Sequence, residues 1–380
     1  MRERYDLLIV GGGLSGLSLA AALVRSSLSG LRLLVVDRNP LDDERRTFSY
    51  WSREPTPFDG LAVRVWDRWV VRAAGFERRL DLGPYRYRTV RGVDFQRAVR
   101  PVLHAHPTAE LVEGDVREVR DGAERAAVLV GETWVEADWV FDSRPTPGDF
   151  RRPGGGPLLR QRFKGWVVET PGDAFDPEAP TLFDFRTPQR GATRFCYVLP
   201  YGPREALVEY VVYGPDAPDD DLRAYLEETL GVSDYRITFE EHGVSPLAVR
   251  REGRRRGRRV LRIGVHGGRL KASTGYGYTR IQRDAEAIVQ SLVRRGHPFA
   301  LPRERWSYRF LDALMLRVMA RHGGRIAEVF GAMFRRNPIE RVLRFLDEEA
   351  ALGEALRLAL TLPMGPFVRT LLRWLVLRRG

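Results

Sequence analysis

Cysteine is almost missing from this 380-residue chain, where Cys196 stands alone. A single cysteine excludes an internal disulfide and a cysteine-ligated metal cluster, and it fits a reducing compartment. Lysine is nearly as scarce: Lys164 and Lys271 are the only two among 62 basic residues. No run of about 18 uncharged apolar residues occurs, so no transmembrane helix is expected. The opening MRERYDLLIVGGG does not read as a signal peptide, because its apolar run is short and passes straight into a glycine turn. The six histidines show no ligand spacing, so no metal site is expected. His266 reads as a spacer in a loop rather than as an acid or base.

What the chain has in quantity is arginine. The net charge is +12 and the isoelectric point 10.2. A GC-rich genome accounts for such a bias, and so does attraction to an anionic surface. The basic loop RREGRRRGRR, Arg250 to Arg259, lacks interleaved aromatics and any nucleic-acid motif. It reads as a solvated or lipid-facing turn, and no nucleic-acid partner is expected. With 43% hydrophobic and 29% charged residues, the chain is too apolar for a disordered protein and long enough for two or three subdomains.

The first forty residues carry the strongest local signal. YDLLIV, Tyr5 to Val10, reads as a strand. Gly11, Gly13 and Gly16 then give G-x-G-x-x-G at the start of a helix. The first glycine permits a tight turn, the second lets a pyrophosphate approach closely, and the third lets helix and strand pack closely. A second strand, Leu31 to Val36, ends at Asp37, where a carboxylate can accept ribose hydroxyls. Together these predict a dinucleotide site facing the helix N-terminus.

Two later segments bear on which dinucleotide. ADWVFDSRP (Ala137 to Pro145) is a late strand ending in Asp-Ser-Arg. LRIGVHGGRLKASTGYG (Leu261 to Gly277) is a strand, a Gly-Gly turn and a polar loop before a helix near Thr279 to Arg295. With the N-terminal GGGLSGLSLA they resemble FAD-binding flavoproteins, although the acid usual in the second motif is replaced by Val265 and His266. The fold expected is α/β: a Rossmann-like FAD-binding domain with a β-sheet substrate domain and a C-terminal helical region. The expected boundaries are 1–150 with 258–300 for the discontinuous FAD domain, 151–257 for the β-rich substrate domain and 301–380 for the helices.

Within the β-rich part, strands are expected near 162–169, 181–186, 193–200 and 205–213, and DLRAYLEETLG (Asp221 to Gly231) reads as a helix ending at glycine. The run ALVEYVVY, Ala206 to Tyr213, has one charge, Glu209. A carboxylate in so apolar a run is expensive to bury. Alternation places Glu209 on one face with Leu207, Val211 and Tyr213. That face could be wet, or Glu209 could pair with Arg194 across the hairpin. Alternatively, burial raises the carboxyl's pKa and keeps it protonated for use as an acid.

Several ordered segments resemble the lycopene cyclase family, bacterial β-cyclase type. They are RRTFSYW (Arg45 to Trp51), VFDSRP, QRFKGWVVETPGDAFDPEAPTLFDFR (Gln161 to Arg186), RFCYVLPYGPREALVEYVVY, EHGVSPL (Glu241 to Leu247) and IGVHGGRLKASTGYGY (Ile263 to Tyr278). VFGAMFRRNPIERVLRFLDEEA and LPMGPFV in the C-terminal part complete the set. The chain departs from the family where Phe48-Ser49-Tyr50-Trp51 follows Thr47, and where Tyr210 and Val211 follow Glu209.

The resemblance implies the following. The substrate is the acyclic carotene lycopene, with γ-carotene and neurosporene left open. Glu209 is the catalytic acid and base of a redox-neutral ring closure to a β-ionone end. The cofactor is FAD, active when reduced, with NAD(P)H as an indirect reductant. Cofactor contacts fall to Gly11, Gly13, Gly16, Asp37, Arg46, Gly267, Gly268, Ser273, Thr274 and Gly275. Trp51, Tyr276, Tyr197 and Phe185 are expected to face substrate, since aromatic faces stabilise a cation without trapping it. PFVRTLLRWLVLRRG, which mixes apolar residues, Trp374 and arginines, is expected to hold the protein peripherally on the cytoplasmic face of the cell membrane, or else to pack as an ordinary helix on the core. Two rivals remain at this point: a flavin monooxygenase or prenyl-lipid reductase of the same fold, and a non-enzymatic basic protein that holds FAD structurally.

Overall fold

Parallel strands buried on both faces read as unbroken apolar runs, and the first strands here do. In the computed structural model, which describes residues 1–38, 46–146, 158–214, 219–249 and 253–376, β1 (Arg4–Val10) is followed by α1 (Leu14–Val24) and β2 (Leu33–Asp37). The chain continues through β3 (Thr47–Ser52), β4 (Arg64–Trp66), β5 (Arg68–Ala73), β6 (Phe76–Asp81) and β7 (Arg86–Arg91). Then come α2 (Gly92–Ala105), β8 (Ala109–Glu113), β9 (Val116–Arg120), β10 (Ala126–Val130) and β11 (Thr133–Asp142). Among the described residues the first sheet runs β8-β2-β1-β11-β10-β9. The late strand expected within 137–145 ends at Asp142 and lies beside β1, in parallel. Ser143 closes this junction, donating its hydroxyl to the Val10 carbonyl at 2.7 Å.

The second sheet is antiparallel for most of its width. Its strands are β12 (Leu158–Glu169), β13 (Thr181–Asp184), β14 (Thr193–Gly202) and β15 (Glu205–Tyr213). After α3 (Asp219–Ala224), which runs into one wider helical turn at Tyr225–Thr229, comes β16 (Arg236–Ala248). The order is β16-β12-β15-β14-β13-β5-β6. The block 1–150 thus does not belong to the cofactor domain alone, since β5 and β6 extend the substrate sheet. They do so because β13 pairs with β5 in parallel, which no local pattern announces. β3, β7 and β4 make a small third sheet between the two.

β17 (Val260–Arg262) returns the chain to the first sheet beside β11. The chain then runs through α4 (Tyr278–Arg295), α5 (Trp306–His322), α6 (Ile326–Arg336), α7 (Ile339–Leu346), α8 (Leu352–Ala359) and α9 (Met364–Val376). The helix expected from Thr279 begins one residue earlier. Leu316, Val318, Ile326, Phe334, Val342, Leu343 and Leu358 are buried in the same core as Trp69, Phe183, Leu207 and Val211. The C-terminal helices therefore pack on the substrate sheet. Trp374 follows them: it stacks on Phe310 at 5.6 Å and lies under the Arg317 guanidinium.

β15 shows the alternation expected of it. Leu207, Val211 and Tyr213 enter the core under the C-terminal helices, whereas Val208, Tyr210 and Val212 enter a second cluster with Leu222 and Leu226. Arg194 belongs to that second face. It donates to Asp221 at 3.3 Å and stands opposite Val212, so it does not pair with Glu209.

Candidate active site

The glycine fingerprint builds a turn that requires glycine at its first and third positions. Gly11 has φ +100°, and a Cβ there would lie 2.1 Å from Ser143 Oγ. A Cβ at Gly16 would lie 1.9 Å from the Gly11 carbonyl oxygen. At Gly13 a Cβ would meet nothing within 4 Å, because that residue opens onto a cavity of about 1430 Å³. Asp37 lines the same cavity, and its carboxylate accepts the Gly12 N–H at 2.8 Å.

Two helix N-termini open on this cavity. α1 starts after Gly13 and α4 after Gly277. Neither has a side-chain cap or an acid in its first turn. Their leading N–H groups therefore present unsatisfied donors and a positive dipole end to the cavity, an arrangement that suits a phosphate-bearing dinucleotide. Arg46, Thr274 and Gly275 also line it. Gly16, Gly267, Gly268 and Ser273 shape the backbone behind it: Gly267 donates to the Ile263 carbonyl, and Ser273 is buried.

The second loop is tied down from behind. Lys271, buried at 3% side-chain exposure, donates to Asp312 Oδ1 and to Glu348 Oε1, both at 3.0 Å. Arg280 on α4 also reaches Glu348, at 2.7 Å. One of the two lysines is thus the bolt between the cofactor loop and the C-terminal helices. Sequence reading assigns it no role, since its partners lie 41 and 77 residues away.

At the other side of the cavity wall lies Glu209. It is part-exposed, and the surface it exposes is cavity rather than bulk solvent. Its cross-strand neighbours decide its surroundings. Tyr197 stands opposite on β14 and Gly165 opposite on β12. Beyond Gly165, on β16, stands Glu241. The two glutamates are two strand spacings apart, about 10 Å between backbones, and nothing but a glycine separates them. A Cβ at Gly165 would press to 3.0 Å from Glu241 Cγ and 3.1 Å from its Oε1.

Glu241 is 2% exposed. Its Oε2 accepts the Thr47 N–H at 2.7 Å. Its Oε1 makes no hydrogen bond, although the Thr47 hydroxyl also acts on this carboxyl. The group beside it is the Glu209 carboxyl, and the two hydrogen-bond as soon as one holds a proton. Burial pushes Glu241 up from 4.5 to about 7, against the lowering effect of these hydrogen bonds. Burial, and then the Glu241 charge and hydrogen bond, push Glu209 well above the usual carboxylate range. Sequence reading passes over Glu241; the available signal was a bare Gly165 between two acid-bearing strands, visible only once their register is known.

Aromatic rings surround the pair. Tyr197, Tyr276 and Tyr87 line the cavity, and the Tyr197 and Tyr276 hydroxyls are 3.1 Å apart. Trp51 and Phe185, expected to face substrate, are core residues instead. Trp51 is 3% exposed and packs edge-on behind Tyr276, with ring centroids 4.4 Å apart. Phe185 is buried among Phe183, Phe195 and Phe330. It directly follows β13 and packs against Phe330 of α6.

A family model described as lycopene cyclase protein matches residues 6–372. The chain belongs to the lycopene cyclase family. A lycopene beta-cyclase from Paracoccus sp. (strain N81106 / MBIC 01143) is 28% identical over 227 residues, 58% of this chain. That match spans 55% of the relative's length. Among solved structures, the flavin-dependent monooxygenase PieE, in complex with FAD and substrate, has a TM-score of 0.62 at 17% identity. The alignment covers 94% of this cyclase-family chain and 70% of PieE. A geranylgeranyl bacteriochlorophyll reductase-like protein from Thermoplasma acidophilum has a TM-score of 0.61 at 12% identity, covering 97% and 98% of the two chains. These likenesses establish the flavoprotein architecture, with its Rossmann-like domain, β-sheet domain and C-terminal helices.

Proposed function

We propose that this cyclase-family member closes a β-ionone ring at a ψ-end of lycopene, with Glu209 as the proton donor. The observation that carries the reading is one cavity, walled at one end by the dinucleotide fingerprint and at the other by a carboxyl that burial keeps protonated. The step needs no net redox change. The terminal double bond gives its π pair to the Glu209 proton, leaving a tertiary cation. The next double bond gives its pair to that cation and closes the six-membered ring. A ring C–H then yields its proton to the carboxylate, and its electron pair becomes the ring double bond. Substrate and product have the same formula.

Tyr197, Tyr276 and Tyr87 present electron-rich faces to the cation. Burial holds all three phenols neutral, so none competes as a base near neutral pH. Gly11, Gly13, Asp37, Arg46, Thr274 and Gly275 would hold FAD. Held there in its reduced form, FAD would supply electron density that favours a cation, with no hydride passing to product. NAD(P)H would act only as an indirect reductant. The exposed apolar residues of α8 and α9 would rest on a membrane surface on the cytoplasmic side, where lycopene is dissolved. Anaerobic incubation of lycopene with the protein and chemically reduced FAD tests this reading. A cyclic product of unchanged mass supports it; a gain of oxygen or of hydrogen replaces it with a monooxygenase or a reductase.

A further inference from the structure

The pair formed by Glu209 and Glu241 goes unused if Glu209 acts alone. We propose that Glu241 is a positioning residue for the acid: held by the Thr47 N–H, it accepts the Glu209 O–H across Gly165, so that the two carboxyls share one proton. This rests on the reading of Glu209 as the acid and adds its partner.

The asymmetry of the pair says where the proton sits. Glu241 Oε2 already accepts a backbone N–H, which favours its charged form. Burial and the neighbouring carboxyl both press Glu209 toward its neutral form, with no opposing donor among their causes. Glu241 Oε1 lies over Gly165, on the side toward Glu209, and makes no hydrogen bond there. A buried acceptor left without a donor is costly. A proton on Glu209 removes that cost and the repulsion between two adjacent carboxylates together. When the alkene takes the proton, both carboxyls are briefly anionic beside the new cation, which draws the proton back after ring closure.

The other titratable groups that act on the pair do not replace Glu241 in this role. Tyr87, Tyr197 and Tyr276 surround Glu209, and Cys196 acts on it from the far face of β14. Burial pushes all four up, so they are neutral around pH 7. Tyr201, likewise pushed up, and the Arg46 guanidinium act on the Glu241 side. Arg46 reinforces the charge on Glu241 and hence the proton on Glu209.

Gly165 is the residue that permits the contact. Any side chain there would stand between the carboxyls and against Leu207 Cδ1, 3.1 Å from its first carbon. Glycine weakens a strand interior, and its place in the middle of β12 has this compensation.

The test reads the proton directly. Infrared titration of the FAD-loaded protein follows the protonated carboxyl C=O band of Glu209, identified by its loss in Glu209→Gln. In Glu241→Gln the side chain keeps its volume and its bond to Thr47 but brings no charge. The titration midpoint of Glu209 is expected to fall by about one pH unit or more, as for closely coupled carboxyls. An unchanged or raised midpoint overturns the proposal. If Glu241→Gln does not fold, Gly165→Ala, which pushes the carboxyls apart, is read the same way with the same expected direction. A midpoint that falls while lycopene remains uncyclised by the wild-type protein keeps the pair and removes the cyclase reading instead.

Discussion

A carboxyl can protonate an alkene only while it still holds its proton. For Glu209 the sign follows from its surroundings. Burial comes first and the neighbouring Glu241 second, and both raise its pKa. Activity is therefore expected to persist above the ordinary carboxylate range, and to be lost only as the pH rises through the raised value. A rate profile against pH, taken at saturating lycopene in detergent, checks this direction. Glu209→Gln keeps the shape of the side chain and removes the transferable proton. Cyclisation is expected to fall by about 100-fold or more, the usual worth of a general acid. Flavin absorbance of the purified variant should be unchanged, because Glu209 makes no part of the glycine turn. Full turnover by that variant would assign the acid to another group. At this scale the sequence made Glu209 legible, as the one charge in an apolar strand. It did not make Glu241 legible, because Glu241 sits directly after a second acid, Glu240, and only pairing across Gly165 singles it out.

At the scale of elements, the junction of β1, α1 and β2 is held by close backbone approach. Gly16→Ala would place a carbon 1.9 Å from the Gly11 carbonyl oxygen, a backbone atom that cannot swing aside. α1 must then lift from β1, and its N-terminus moves off the phosphate position. The variant is expected to purify without flavin absorbance. The loop between β17 and α4 depends on Lys271. Lys271→Met removes the ammonium that faces Asp312 and leaves Glu348 to Arg280 alone. Breaking a buried pair by deleting one partner costs about 3 kcal/mol or more. Chemical denaturation should show a midpoint lowered accordingly, and flavin affinity should weaken with it. The elements themselves were largely legible: β1, β2, β11, β15 and α4 lie within a few residues of where periodicity and glycine turns put them. The pairing of β5 and β6 with the substrate sheet was not, since a β-strand's sequence states its faces and not its neighbours.

The whole molecule carries a surface feature that the site does not explain. On α8, α9 and the turn between them, Leu356, Leu360, Met364, Val368 and Leu372 recur every four residues and are exposed, Leu360 at 75% and Leu372 at 59%. Among the described residues no helix is long and apolar enough to cross a membrane. An exposed apolar stripe of this kind, beside many arginines, suits the interfacial zone of an anionic bilayer. The double variant Leu360→Asp/Leu372→Asp is expected to bind phosphatidylglycerol-containing vesicles at least about tenfold more weakly, since each leucine contributes about 1.5 kcal/mol or more when buried in lipid. Vesicle co-sedimentation measures this, and an unchanged melting temperature would show that the fold is intact. Equal binding by the variant would move the docking face elsewhere.

The sequence by itself determined the local constraints of this protein: the glycine turn, the acid at the end of β2, the two faces of β15 and the ordered segments of the lycopene cyclase family. These are legible because each acts over a few residues, through backbone sterics or a period of two. Only the tertiary structure decided what stands opposite what. It set Glu241 beside Glu209, seated Lys271 between Asp312 and Glu348, and moved Trp51 and Phe185 out of the substrate wall. The reason is register. Gly165, Glu209 and Glu241 lie on three strands far apart in the chain, and their shared row is fixed by hydrogen bonds along whole strands, not by any residue's own neighbours in sequence.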